Sequence, residues 1–252
     1  MPDSRGNQNL ILSRNFHVRS NETDISGKLR PGALLNYLIQ AAIDSADQLG
    51  FGLADLRENQ VFWALSRITL LMNRAVRWRE NIKVETWPKD ISGLHVLRDF
   101  RILDEQNKEI GKAVSGWLMI DTARKRPQKV DRSEVFTKMR DLHAADPSLL
   151  ERLIEPRESF DDQVQVESTY FDFDLNGHVT ATRYVDWMMD MVPFDFQRNR
   201  YVSKMTINFV KEILPGDGVV LSKWNQRDAH FFSGSSVEHR KVSFLAKVAF
   251  DH

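Results

Sequence analysis

The feature that most constrains the fold is one predicted helix followed by four strand-like runs. The helix begins at Pro31, which suits a first helical turn, and its apolar residues recur at helical spacing until the glycines at positions 50 and 52. Turn signals separate the runs that follow, which are rich in β-branched and aromatic residues: Val61 to Met72, Asn81 to Trp87, His95 to Leu103 and Ile110 to Ile120. This order favours the α+β class, with an antiparallel sheet and a helix on one face.

The second half repeats this order. A helix is predicted from about Thr180 to Met191, and the strands after it are Tyr201 to Lys211, Val219 to Trp224, His230 to Val237 and Lys241 to Phe250. Ser66-Arg67-Ile68 matches Ser203-Lys204-Met205 at an offset of 137 positions, whereas Gly27-Lys28-Leu29 matches Gly177-His178-Val179 at an offset of 150. The first half therefore has 13 more residues between its helix and its long strand. This weak repeat indicates duplication of one α+β unit.

The repeat divides the 252 residues into two predicted domains. The N-terminal domain covers residues 10–125, a linker covers residues 126–162, and the C-terminal domain covers residues 163–252. Apolar residues make up 42% of the chain, which is enough for a sizeable core. The polar linker is expected to run over the surface, with a short helix or two between Glu134 and Leu153.

Charge and composition narrow the function classes. Lys plus Arg and Asp plus Glu number 35 each, so no net charge attracts nucleic acid or an anionic membrane. Cysteine is absent, which rules out a cysteine nucleophile and suits a reducing compartment. The first ten residues lack a signal-peptide core, and no apolar stretch approaches the roughly 20 residues of a membrane helix. These observations predict a cytoplasmic protein without a membrane span.

Polar residues with catalytic chemistry cluster just before the second helix. Asp174, Asn176 and His178 alternate, so in an extended segment all three would point to one side. His178 would lie near the helix N-terminus, where free backbone N–H groups can stabilise an oxyanion. Taken alone, the same residues also suit a loop whose Asp and Asn simply form turns and caps. Glu212, at the end of the first strand after that helix, likewise reads alone as a solvated glutamate beside Lys211.

A family resemblance decides between these interpretations. The chain resembles the acyl-acyl carrier protein thioesterases of plants and bacteria over nearly its whole length, from about Phe16 to Phe250. In the first half the matching segments are Trp63 to Ile68, Val84 to Trp87, Arg98 to Phe100, Gly111 to Asp121 and Arg126 to Val130. In the second half they are Asp174 to Val179, Tyr184 to Trp187 and Glu212.

The resemblance implies two tandem hotdog domains, each a long helix wrapped by an antiparallel β-sheet. It also implies that Asp174, Asn176, His178 and Glu212 are catalytic, and that no metal or cofactor takes part. Many plant members have a Cys beside the Glu, whereas this chain has Ile213. The first half has no His in the corresponding stretch, and Ala75 stands in place of the Glu. In the family, that half houses the acyl-chain pocket.

The activity implied is hydrolysis of an acyl-acyl carrier protein thioester, which releases free fatty acid. Glu212 would activate a water molecule, with Asn176 and helix-start N–H groups on the carbonyl oxygen, His178 at the leaving thiolate and Asp174 positioning the others. An acyl-enzyme route through a carboxylate stays open. The implied partner is acyl carrier protein bearing an acyl-phosphopantetheine, and the protein would be a monomer or homodimer. Candidate docking residues are Arg74, Arg77, Arg79, Arg198, Arg200 and Lys204.

Two alternatives remain open from the sequence. An acyl-coenzyme A thioesterase would use the same residues and differ only in the carrier that it recognises. A hotdog module that binds acyl thioesters as a sensor would not need four polar groups at the site. Dehydratases and hydratases fit least, because the catalytic pattern differs from theirs.

Overall fold

The computed structural model describes residues 10–52, 56, 58–131, 138–155, 160–226 and 228–251. Residues 1–9, which entered the prediction of a cytoplasmic protein, and residues 134–137 of the predicted linker helices lie outside them. The α-helices whose full length is described are α1 (Pro31–Gln48), α2 (Ala181–Asp190) and α3 (Phe194–Asn199). The strands are β1 (Leu12–His17), β2 (Val61–Met72), β3 (Asn81–Ser92), β4 (His95–Leu103), β5 (Glu109–Asp121), β6 (Arg126–Gln128), β7 (Asp162–Glu167), β8 (Val202–Phe209), β9 (Gly218–Gln226), β10 (Ala229–Ser236) and β11 (Val242–Phe250).

The strands of both halves join in one antiparallel sheet. Its order is β1-β3-β4-β5-β2-β8-β11-β10-β9-β7, and β6 pairs with β5. The predicted α+β fold of two hotdog units is confirmed, because four consecutive strands follow α1 in the first half and follow α2 and α3 in the second half. The predicted bounds of β2 and β4 agree with the structure residue for residue.

Helix α1 forms where the apolar spacing predicts it. Pro31 occupies its first turn, and Leu35, Leu38 and Ala41 are almost completely buried on one face. At the other end, Gly50 adopts a φ of 73°. The N–H of residue 51 bonds to the carbonyl of Ala46, and the N–H of Gly50 bonds to that of Asp47, which is the pattern of a glycine-ended helix.

A pseudo-two-fold axis relates the two units. β2 and β8 lie side by side at the centre of the sheet, and Thr69 faces Thr206 in their register. These threonines are 137 positions apart, so each is the other's copy at the predicted offset. Their buried hydroxyl oxygens lie 3.0 Å apart and form a hydrogen bond. The structure therefore confirms the duplication and locates its axis.

The second helix is shorter than the first. α1 has 18 residues and α2 has 10, because Pro193, the third residue after α2, lacks the N–H that a continuing helix needs. The six-residue α3 then replaces the rest of the helix. α1 and α2 lie close together, since a Cβ added at Gly32 would stand 2.5 Å from a carboxylate oxygen of Asp186. Buried residues of both helices belong to one hydrophobic core.

The linker crosses the sheet and is tied to both units. In the first unit, the indole N–H of Trp87 donates to the carbonyl of Leu142. At the centre, Thr69 donates to the carbonyl of Leu149, and the Asn208 side chain bonds to the backbone of residues 151 and 153. The described part of the linker includes one short 3₁₀ turn, Pro147–Leu149. Among the described helices, none has the length and apolarity that a bilayer crossing requires.

Candidate active site

The segment from Asp174 to His178 forms a tight turn. The Oδ1 atom of Asp174 accepts hydrogen bonds from the backbone N–H groups of Asn176 (2.8 Å) and His178 (3.2 Å). Gly177 has a φ of 74°, and its N–H bonds to the carbonyl of Asp174. The predicted extended segment is wrong here, because the Asp174 carboxylate satisfies the backbone locally and closes the chain on itself.

This turn leaves few backbone donors for an oxyanion. The N–H groups of residues 176, 177 and 178 all bond to Asp174, and those of Val179 and Thr180 bond to the carbonyls of Ile213 and Asp172. The backbone donors predicted near the helix start are therefore already paired over residues 176–180. The exposed carboxamide of Asn176 and the half-buried imidazole of His178 are the side-chain donors at this turn.

Glu212 lies beside the turn through a backbone contact. The N–H of Val179 donates to the carbonyl of Ile213 at 3.2 Å, which joins the residue after His178 to the residue after Glu212. Ile213 is fully buried, whereas the neighbouring Glu212 is exposed. The apolar side chain thus anchors this segment in the core, and the carboxylate remains accessible to water.

The buried Tyr184 is affected by the charges of both Asp174 and Glu212. Burial raises the pKa of Tyr184 well above its usual value, a hydrogen bond with the Ile213 backbone opposes that rise, and the charges of Glu212, Asp174 and Asp217 add to it. Glu212 and Asp174 therefore act on one hydroxyl, although they are 38 positions apart. Sequence reasoning matched Tyr184 to a motif without giving it this place beneath the site.

The first unit contributes an aromatic ring close to His178. The ring of Phe62, the second residue of β2, lies 6.5 Å from the imidazole of His178. The ammonium of Lys125, in the turn between β5 and β6, lies 6.0 Å from the centre of the Phe62 ring. Sequence reasoning missed Phe62 and Lys125 as site residues, because only the pairing of the two units brings them to His178.

The first unit also contains a copy of the turn from Asp174 to His178. The Oδ1 atom of Asp24 accepts from the N–H groups of Ser26 and Lys28, and Gly27 has a φ of 75°. The N–H of Leu29 donates to the carbonyl of Val76, as that of Val179 does to Ile213. In this copy Lys28 replaces His178, and Ala75 takes the place of Glu212. The backbone of the turn has therefore been kept in a half that lacks the imidazole and the glutamate.

Comparison with protein families agrees with this arrangement. The model of the acyl-ACP thioesterase N-terminal domain matches residues 9–138, and that of the acyl-ACP thioesterase C-terminal domain matches residues 155–249. The chain belongs to the acyl-ACP thioesterase family. Both halves of the family pattern are present in the expected order, which accounts for the duplicated unit.

Curated plant relatives of this acyl-ACP thioesterase family match most of the chain. A palmitoyl-acyl carrier protein thioesterase of Gossypium hirsutum is 26% identical over 216 residues, which are 81% of this chain and 52% of the relative. A dodecanoyl-[acyl-carrier-protein] hydrolase of Cinnamomum camphora is 25% identical over 84% of this chain and 59% of its own length. The chain thus spans about half the length of the curated relatives it matches.

Solved structures in the acyl-ACP thioesterase family have the same fold. An acyl-ACP thioesterase from Bacteroides thetaiotaomicron superimposes with a TM-score of 0.86 at 25% identity, covering 97% of this chain and 99% of that one. A 12:0-ACP thioesterase from Umbellularia californica gives a TM-score of 0.87 at 18% identity, covering 96% and 97%. The two plant relatives are chloroplastic proteins, so their likeness does not support the predicted cytoplasmic location.

Four of the six predicted docking residues lie together. An open pouch beside the Lys28 turn is lined by Arg74, Arg77, Arg198 and Arg200. That turn has no histidine, so these residues lie away from His178. The ring of Phe62, which lies near His178, is approached by Lys125 from the turn between β5 and β6. Lys125 is exposed, as are its neighbours Arg124 and Arg126.

Proposed function

We propose that this chain hydrolyses the thioester of acyl-acyl carrier protein and releases free fatty acid. The observation that carries this proposal is the bond between Val179 and Ile213, because it joins the residues next to His178 and Glu212, while Phe62 of the other unit lies near His178. Membership of the acyl-ACP thioesterase family supports the same reaction. The test is release of fatty acid and thiol from acyl-carrier-protein thioesters by the wild-type protein.

Water is the proposed nucleophile, and Glu212 is its general base. The Glu212 carboxylate is exposed, and the buried Ile213 fixes the segment on which it lies. No cysteine is next to Glu212 in the chain. The carboxylate would take a proton from the water as the oxygen attacks the thioester carbon, and the electron pair of the C=O bond would move onto the carbonyl oxygen. A positioned general base typically contributes about 10² to 10⁴ in rate.

Asn176 and His178 are proposed to act on the negative charge that develops on the carbonyl oxygen and then on the sulfur. Because the backbone amides of residues 176–180 are already paired, the Asn176 carboxamide is the proposed donor to the oxyanion. When the tetrahedral intermediate collapses, the C–S bond breaks and the sulfur leaves as a thiolate. His178 is the proposed donor of a proton to that sulfur, since imidazole is the side chain that gains and loses a proton near neutral pH.

The acyl chain is proposed to lie on the first unit, residues 10–125, while residues 163–252 supply the catalytic groups. Support comes from apolar residues at one end of β2 and β5 that are only half buried. Because side chains alternate along a strand, Phe62 shares its face of the sheet with Ala64, Leu118 and Ile120. Phe62 connects this face to His178, so an acyl chain leaving the thioester would meet it.

Asp174 is proposed to position the other residues rather than to react. Its carboxylate makes the bonds that Asp24 makes in the non-catalytic copy, so those bonds do not depend on chemistry. We therefore expect Asp174→Asn to keep most of the activity, because an amide oxygen accepts the same bonds. Asp174→Ala should lower kcat by about 10² by misplacing Asn176 and His178.

The matched control for Asp174→Ala is Asp24→Ala, which opens the equivalent turn in the other unit. Both alanine variants should lower the melting temperature to a similar degree, while only Asp174→Ala should lower kcat. Steady-state kinetics and thermal melts of the three variants check this. Equal loss of activity in Asp174→Asn and Asp174→Ala would contradict the positioning role and favour a charged, reacting carboxylate.

The basic turn between β5 and β6 is proposed as the contact for the carrier. Asp121 caps this turn by accepting from the N–H groups of residues 123 and 124, and Lys125 lies beside Phe62, between Arg124 and Arg126 in the chain. Acyl carrier protein is strongly acidic, and complementary charge raises the rate of association more than it raises the final affinity. We expect replacement of Arg124, Lys125 and Arg126 with serine to lower kcat/KM for the carrier substrate about tenfold.

A small acyl-pantetheine thioester separates docking from catalysis, because it has no acidic surface and its hydrolysis should not change in the triple variant. Lys108→Ser is the matched control, since Lys108 is an exposed lysine before the opposite end of β5, about 40 Å away. Raising the salt concentration should lower kcat/KM in the wild type and much less in the triple variant. An equal loss on both substrates would mean that the turn supports the site and does not bind the carrier.

Two alternatives remain for the same residues. An acyl-coenzyme A thioesterase would use this catalytic set with another carrier, and the serine variants of the basic turn would then affect coenzyme A esters equally. A sensor would bind acyl thioesters without cleaving them. The exposed Glu212 beside His178 favours hydrolysis over sensing. A monomer or homodimer remains the proposed oligomeric state.

A further inference from the structure

The non-catalytic copy of the turn is closed from inside by Lys28. Its ammonium donates to the backbone carbonyls of Gln197, Arg198 and Arg200 at 2.5 to 3.0 Å, and Asp24 lies 3.7 Å away. All three of its protons are therefore used on the C-terminal end of α3, where a cation is favoured. The void behind Lys28 measures about 50 Å³, which is too small for an acyl chain. No thioester can be seated there in the way proposed for the turn from Asp174 to His178.

On the solvent side of Lys28, residues of both units line an open pouch of about 380 Å³. Its lining includes five cationic side chains and two carboxylates, so it has an excess of positive charge. The cations are Lys28, Arg74, Arg77, Arg198 and Arg200, and the carboxylates are Glu80 and Asp251. Because both units contribute to the lining, the pouch exists only in the folded pair.

Some of these cations already have partners. Arg74 forms an ion pair with Glu80 at 2.8 Å, and Arg200 donates to the carbonyl of Asp251 while lying over the ring of Phe196. By contrast, the guanidinium groups of Arg77 and Arg198 have no hydrogen bond or ion pair within the described residues, and both are exposed. Two unengaged guanidinium groups face one concave space.

We propose that this pouch is a second ligand site, which binds a phosphate monoester or pyrophosphate group. Guanidinium groups bind phosphate oxygens through paired hydrogen bonds, and several cations around one space favour a ligand with more than one negative charge over a monocarboxylate. Coenzyme A carries such groups on a pantetheine arm, and free pyrophosphate carries them alone. Because Lys28 closes the inner end, the bound group stays outside and is not hydrolysed there.

Calorimetric titration at low ionic strength tests this site. Pyrophosphate, coenzyme A and unphosphorylated pantetheine would each be added to the wild type and to Arg77→Ser and Arg198→Ser. We expect the two phosphorylated ligands to bind, each with a dissociation constant about tenfold or more higher in either variant, and pantetheine not to bind. Pyrophosphate binding as tightly as coenzyme A would assign recognition to the phosphates alone, whereas tighter coenzyme A binding would show that the arm contributes.

Arg79→Ser is the matched control. Arg79 is exposed two residues from Arg77, but its guanidinium stacks on Trp78 at 4.3 Å and is not part of the pouch lining. Its dissociation constants should stay within about twofold of the wild type. No binding by the wild type, or binding that Arg77→Ser and Arg198→Ser leave unchanged, would overturn the proposal. The titration measures binding alone, so a failure here is distinct from a failure of the proposed hydrolysis.

Discussion

Replacing Glu212 with glutamine is expected to lower kcat for an acyl-acyl carrier protein thioester by about 10² to 10⁴. Glutamine has the size of glutamate but cannot take a proton from water. Because Glu212 is exposed and its segment is anchored by Ile213, the melting temperature should not change. Single-turnover measurements on a purified acyl-carrier-protein substrate would give the rate of the chemical step directly.

The control for this variant is Glu109→Gln. Glu109 is also an exposed glutamate, but it begins β5 at the end far from the basic turn and His178. Its activity and melting temperature should match those of the wild type. If Glu212→Gln kept normal turnover, the general base would have to be another group. If its activity fell only together with its stability, Glu212 would be a structural residue.

The second large effect is expected on stability, from Asp99→Ala. Asp99 and Lys89 are both completely buried and form an ion pair at 2.7 Å between β4 and β3. The other carboxylate oxygen of Asp99 accepts from the N–H groups of Ala144 and Ala145, and Lys89 donates to the carbonyl of Ala145. Removing Asp99 would leave a buried ammonium and two linker amides without partners. We expect a loss of about 3 to 5 kcal/mol in the free energy of unfolding.

Asp44→Ala is the matched control for this prediction. Asp44 also pairs with a cation at 2.7 Å, but the side chain of its partner Arg14 is half exposed. Loss of that pair should cost at most about 1 kcal/mol. Urea unfolding followed by two probes would give both values and test whether unfolding is a single transition. Equal small losses in Asp99→Ala and Asp44→Ala would contradict the idea that the buried pair holds the linker on the sheet.

The sequence predicts the repeated unit because its signals are local or periodic. Helix spacing after Pro31 and the β-branched runs at Val61 and His95 depend on neighbouring residues, and these elements agree with the structure. The offset of 137 positions also holds, since Thr69 faces Thr206. The α+β fold could therefore be predicted before any contact between the units was known.

The sequence does not predict the contacts that complete the site. Alternating polar residues at 174, 176 and 178 suggested an extended segment, but one side-chain bond from Asp174 turns the chain instead. Phe62 reaches His178 across 116 positions, and Lys28 binds carbonyls about 170 positions away. No periodicity records such contacts, because they arise only when the two units pack.

The proposed hydrolysis of acyl-acyl carrier protein can be measured on substrate panels. Purified wild-type protein would be given matched panels of acyl-carrier-protein and acyl-coenzyme A thioesters, and released fatty acid and thiol would be measured together. If this chain is an acyl-acyl carrier protein hydrolase, it will turn over the carrier-protein series with a higher kcat/KM than the coenzyme A series. Binding of acyl thioesters without release of fatty acid from either series would contradict the proposed hydrolysis.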